Sequence, residues 1–137
     1  MPLNNIRILR RQILIILVLL IIQYALGMYA NLYVQFPDSI SGGPAWEFAW
    51  TQLPVALHIV NAFLLYIIGI TFLVTARRHD KTLVKYAVWG LIGITLAAVS
   101  GALFIPLQND IFSYGMSLFF IIAFIAYIGG LYKLRLE

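Results

Sequence analysis

Residues 51–75 read TQLPVALHIVNAFLLYIIGITFLVT. The stretch is long and apolar enough to cross a bilayer, which takes about 20 residues of helix, yet it holds His58 and Asn61 well inside it. An imidazole and a carboxamide are costly to bury in lipid unless partners satisfy them. Their face is therefore expected to turn toward other helices. At helical spacing, Thr51, Pro54, His58, Asn61, Ala62, Leu65 and Gly69 share that face, and Ala56, Val60, Phe63, Ile67 and Val74 lie opposite.

The rest of the chain supplies the partners. Of 137 residues, 63% are hydrophobic and 10% charged, far from the roughly 25% charge of soluble domains. Four apolar spans are drawn at 13–34, 50–75, 86–107 and 111–132, with an outer loop at 35–49. The expected fold is all-α, a membrane-embedded four-helix bundle forming one domain over 1–137. Cysteine is absent, which excludes a disulfide framework and thiolate metal sites.

The net charge of +4 does not point to nucleic acid, because the nine basic residues follow the membrane. Arg7, Arg10 and Arg11 precede the first span. Arg77, Arg78, Lys81 and Lys85 separate the second from the third, and Lys133 and Arg135 follow the fourth. The opposite side carries only Asp38, Glu47 and Asp110. The positive-inside rule then places both termini in the cytoplasm, with the chain in the plasma (cytoplasmic) membrane. The basic clusters themselves are read as orienting the chain and touching headgroups.

The first span begins like a signal peptide, but its apolar run continues to Val34, longer than an h-region, so it reads as a retained helix. Gln23 and Gly27 share a face expected to pack against a neighbour, the glycine allowing close approach and the glutamine bonding across. Pro37, Gly42, Gly43 and Pro44 exclude a continuous helix through the outer loop, which is expected to cap the bundle. Trp46, Phe48 and Trp50 suit the membrane interface. Gly90, Gly93, Ala97 and Gly101 form a small-residue ladder for helix packing, with Ser100 beside it. The very short turn at Pro106 to Asp110 makes the last two helices antiparallel neighbours.

Counted by depth, Met28, Asn31, His58, Asn61, Ser100, Ser113, Met116 and Ser117 fall in the outer half of the membrane. This asymmetry predicts a polar pocket opening outward beneath the loop, with Asp38, Glu47 and Asp110 around its mouth. The candidate ligand-binding set is His58, Met28, Met116, Asn31, Asn61 and Ser113. Three readings stay open. The groups bond to one another and to water, and the protein is a non-enzymatic accessory or interaction subunit whose partners are the bilayer and another membrane subunit or a second copy. Alternatively His58 is an axial ligand of haem b, opposite Met28 or Met116. Or His58 and Asn61 bond a quinone or lipid carbonyl.

A metal held by Asp38, Glu47, Asp110 and His58 lacks any HxxxH or HExxH spacing. No P-loop, dinucleotide-binding glycine pattern or G-x-S-x-G elbow occurs, so hydrolysis and phosphoryl transfer are unsupported. A proton-coupled transporter would display an intramembrane carboxylate, whereas the acidic residues lie near the surfaces or the C-terminus.

Two stretches, QYALGMYANLYVQFP at 23–37 and GALFIPLQNDIFSYGMSLFF at 101–120, carry a resemblance. They resemble a group of small, uncharacterised bacterial four-helix membrane proteins with a Leu-Gly-Met-x-x-Asn-Leu-x-Val segment, a histidine in helix two and an Asn-Asp-x-x-Ser-x-x-Met-like turn. The resemblance covers about half the chain as pattern. It singles out Gly27, Met28, Asn31, His58, Asn109, Asp110, Ser113 and Met116, and implies the architecture and the outer cluster without implying an activity. The outer loop here is shorter than in that group.

Overall fold

A computed structural model describes residues 3–37 and 39–135. Among them are five α-helices: α1 (Leu3–Tyr33), α2 (Gly43–Thr51), α3 (Leu53–His79), α4 (Val84–Leu107) and α5 (Asp110–Arg135). A single 3₁₀ turn, Lys81–Leu83, joins α3 to α4. The four long helices are each apolar enough to cross a membrane, and the chain is a multi-pass membrane protein whose exposed apolar faces meet lipid.

These helices outrun the expected spans at the basic end. Helix α1 starts ten residues before residue 13 and carries Arg7, Arg10 and Arg11 on its first turns, while α3 and α5 continue through Arg78 and Arg135. Hydropathy marks only the part in hydrocarbon. A helix has no reason to stop there, because Arg, Gln and Lys are good helix formers whose long stems reach back to the interface.

The loop at 35–49 differs from expectation in one respect. Its prolines and glycines do prevent a helix running through it, but they also start one, α2. Gly42 adopts φ 60°, ψ −129°, a conformation that a Cβ would oppose, and Pro44 sits in the first turn of α2, where its missing N–H has no intrahelical acceptor anyway. Trp50 and Thr51 consequently belong to α2 and not to the spanning helix. The break falls at Gln52, which is extended (φ −89°, ψ 104°). Pro54, two residues on, cannot donate to the Trp50 carbonyl, and its ring would collide with it in a continuous helix.

Helix α2 is fastened to the far end of α4. The Gly42 N–H donates to the Pro106 carbonyl at 3.2 Å, one of the carbonyls that a helix terminus leaves without a partner. Gln108 caps α4 in the left-handed region (φ 48°), and its side-chain Nε2 donates to the Ile40 carbonyl at 2.8 Å. Beneath the segment, Ala45, Ala49, Val55 and Ile105 form a buried cluster joined by Val34, Phe36 and Trp46. Phe36 stands edge-on to Phe48, with ring centroids 5.2 Å apart. The expected cap exists, and Trp46 is half-buried inside it while Trp50 is exposed.

The long helices touch in the cyclic order α1, α3, α4, α5 and back to α1, and α2 packs on α3 and α4. The α4–α5 seam follows the glycine ladder. A Cβ added to Gly93 would lie 2.8 Å from the Ala123 nitrogen and the Phe119 carbonyl oxygen, and one on Gly90 would lie 2.5 Å from the Tyr127 ring. The dry core, built around Phe72, Tyr127, Leu9, Ile13 and Ile16, lies toward the basic end. It stops at one depth. After Leu20, α1 buries no residue, and α5 buries none before Ala123.

Candidate functional site

Where the dry core stops, polar side chains take over the α1–α3 contact. Asn61, 6% exposed, donates from Nδ2 to the Leu19 carbonyl at 3.0 Å and to Gln23 Oε1 at 2.7 Å. The other end of the same carboxamide, Gln23 Nε2, lies 3.0 Å from His58 Nε2. Asn61 and His58 lie three residues apart on α3, Leu19 and Gln23 four apart on α1, so each pair stands on one face of its helix.

The polarity of this chain of bonds is fixed by its first member. A backbone carbonyl can only accept, so Asn61 must present its NH₂ group to Leu19. That NH₂ also faces Gln23, which must therefore turn Oε1 toward Asn61 and Nε2 toward His58. His58 Nε2 then accepts, and in the neutral ring the proton resides on Nδ1. The donors run outward from Asn61, one branch to the Leu19 carbonyl and the other through Gln23 to His58. The last of them, His58 Nδ1, is buried with no hydrogen-bond partner among the described residues.

Gly27 makes room for the ring. A Cβ there would lie 3.0 Å from His58 Cε1 and 3.4 Å from Nδ1, so the glycine expected to permit close approach of a neighbour admits the imidazole specifically. Gln23, expected to bond across a helix interface, does so. It was absent from the candidate ligand set because its depth is near the middle of the span, although its shared face with Gly27 was the signal.

The other candidate residues divide between two places. Met28 (41% exposed) and Asn31 lie on the exposed side of α1. Met116 belongs to the α4–α5 seam, and Ser113 is half-buried on α5. Met116 Sδ lies 3.0 Å from where a Gly101 Cβ would be, and, in the adjacent residue pair, Ser100 Oγ stands equally close to the Cβ position of Gly115. Ser117 donates back to the Ser113 carbonyl of its own helix at 3.3 Å. The geometry thus unites His58 with Asn61 and Gln23, and no hydrogen bond among the described residues joins that trio to Met28, Asn31, Ser113 or Met116.

Of the carboxylates expected at the mouth, Glu47 and Asp110 are exposed, and Asp38 lies outside the described residues. Among the described residues there is no group of three His, Asp or Glu side chains able to share a metal ion. No known protein family, curated protein or solved structure matches this chain.

Proposed function

We propose that the chain is a single four-helix bundle of the plasma (cytoplasmic) membrane, both termini cytoplasmic, acting as a non-enzymatic accessory or interaction subunit. Its orientation follows from charge. All nine Lys and Arg residues belong to the end made by the start of α1, the α3–α4 connection and the end of α5, and such asymmetry sets topology.

One observation carries the functional reading, the Leu19–Asn61–Gln23–His58 chain. The Asn61 and Gln23 carboxamides are spent on tying α1 to α3, and His58 Nε2 already accepts from the Gln23 carboxamide. The partner is another membrane subunit or a second copy of this chain, reached through the exposed faces of α1 and α5, where Ile121 and Ile125 are 53% and 64% exposed.

A photo-crosslinking residue at position 121, activated in native membranes, tests this. One discrete protein adduct is expected; adducts with lipid alone contradict the subunit role. Because the chain has no cysteine, single cysteines at positions 43 and 79 test orientation. An impermeant thiol reagent should reach 43 from outside and 79 only after permeabilisation, and the reverse pattern overturns the topology.

A second reading, a redox protein holding haem b or a quinone, is favoured in its quinone form by the unpartnered His58 Nδ1. A buried N–H is costly without an acceptor, and a quinone or lipid carbonyl is one. The haem form would use His58 as axial ligand opposite Met28 or Met116, with Asn31, Asn61 and Ser113 lining the site, and it must displace Gln23 from Nε2. The absorption spectrum of the detergent-purified protein separates the two. A missing Soret band after haem addition removes the haem form, and equal quinone retention by wild type and His58→Ala removes the quinone form.

A further inference from the structure

We propose that the exposed face of α1 at the basic end holds an anionic phospholipid. An apolar groove of about 410 Å³ there is lined by the aliphatic stems of Arg7, Arg10 and Arg11 and continues along Leu14, Ile15 and Val18. These residues lie opposite the buried stripe of Leu9, Ile13, Ile16 and Leu20, so the groove opens away from the protein. From Arg11 to Leu19, its last lining residue, the helix rises about 12 Å. One leaflet of hydrocarbon is about 15 Å deep. The groove thus has the length of an acyl chain's path through one leaflet, with cations at the headgroup level.

No carboxylate of the described protein is placed to pair with this charge. Helix α1 contains no Asp or Glu. Glu47, within α2, and Asp110, at the start of α5, lie at the opposite end. Asp80 is on the basic side, but its carboxylate is 9% exposed and its Oδ1 accepts from the Thr82 N–H and hydroxyl at 2.8 and 2.7 Å. Three guanidiniums, each a planar fork of donors suited to phosphate oxygens, therefore face the interface without a carboxylate from α1. A lipid phosphate provides the opposite charge and its acyl chain covers the apolar wall. A second groove, between α3 and α4, offers a single cation, Arg77, over Leu73, Val88 and Leu96, and serves as the internal control.

The test is native mass spectrometry of the full chain in neutral detergent, titrated with phosphatidylglycerol and phosphatidylcholine of identical acyl chains. Wild type should retain phosphatidylglycerol on the order of tenfold more tightly. The triple variant Arg7→Gln/Arg10→Gln/Arg11→Gln should bring the ratio close to one, while Arg77→Gln leaves it in place. Val18→Trp, which fills the apolar part without altering charge, should weaken phosphatidylglycerol binding several-fold; being on an exposed face it keeps the fold, and it carries the test if the triple variant inserts wrongly. Equal binding of the two lipids by wild type overturns the proposal. So does a preference that follows Arg77, one indifferent to Val18→Trp, one abolished by glycerol phosphate lacking acyl chains, or a bound species that proves to be a second protein chain.

Discussion

Toward the basic end, Phe72 and Tyr127 meet with ring centroids 5.9 Å apart, inside a shell to which all four long helices contribute fully buried side chains. Toward α2, neither α1 beyond Leu20 nor α5 before Ala123 buries a residue, and the buried cluster beneath the cap draws on α2, α3 and α4. In lipid, helices gain little from hiding apolar surface from one another, so association depends on close packing and on hydrogen bonds. The basic half relies mainly on the first, with one bond between α1 and α3, from Gln12 Nε2 to Thr75 Oγ1 at 3.2 Å, and the middle of the α1–α3 seam adds the Asn61–Gln23–His58 bonds. The linked Asn61, Gln23 and His58 side chains appear at the level where interlocking side chains give out.

The contrast ranks substitutions. Phe72→Ala opens a cavity in the dry half and should cost the most, about 3–5 kcal/mol, read as a fall in the unfolding midpoint by circular dichroism during titration with a denaturing detergent. Gly93→Val comes next at about 1–3 kcal/mol, because the colliding atoms are the Ala123 nitrogen and Phe119 oxygen of the α5 backbone, which no rotamer change can move. The same titration should show it separating α4 from α5, with loss of tertiary signal before helicity.

Asn61→Leu should cost about 1–2 kcal/mol, the worth of two interhelical bonds in lipid, and should loosen α1 from α3. Hydrogen exchange of amides in the 19–27 segment should rise while amides around Phe72 stay protected. Ser117→Ala should fall within about 0.5 kcal/mol, since that hydroxyl bonds only its own helix. If Ser117→Ala proved as costly as Phe72→Ala, the two halves would not differ in the way described.

The four crossings were legible because hydropathy over some twenty residues is a strong signal, and glycine spacing marked a packing face on α4, the one that Tyr127 and Ala123 fill. His58 and Asn61 announced themselves as polar groups in an apolar helix. Their partner was half legible. Gln23 shares a face with Gly27, but which turn of α1 meets which turn of α3 is a matter of interhelical register, and one sequence carries no record of it. Grouping by depth also placed Met28 and Asn31 beside His58, whereas rotation about the α1 axis sends them to the exposed side. Helix α2 was missed because Pro44 read as a breaker, while in a helix's first turn a proline is well suited, and the break at Gln52 was missed because Pro54 was placed inside the span.

The account turns on the hydrogen bonds that run from Asn61 to the Leu19 carbonyl and through Gln23 to His58, and the tautomer of His58 reports the orientation of the Gln23 carboxamide. The chain contains two histidines, and His79 sits exposed at the end of α3, so His79→Gln leaves a single imidazole for ¹⁵N nuclear magnetic resonance in bilayers. The spectrum should show Nδ1 protonated and Nε2 bare, with Nε2 coupled to the Gln23 carboxamide proton, and Asn61→Leu should relax that preference toward a mixture. A ring protonated at Nε2 in the otherwise unaltered protein would contradict that orientation and with it the proposed role of these residues.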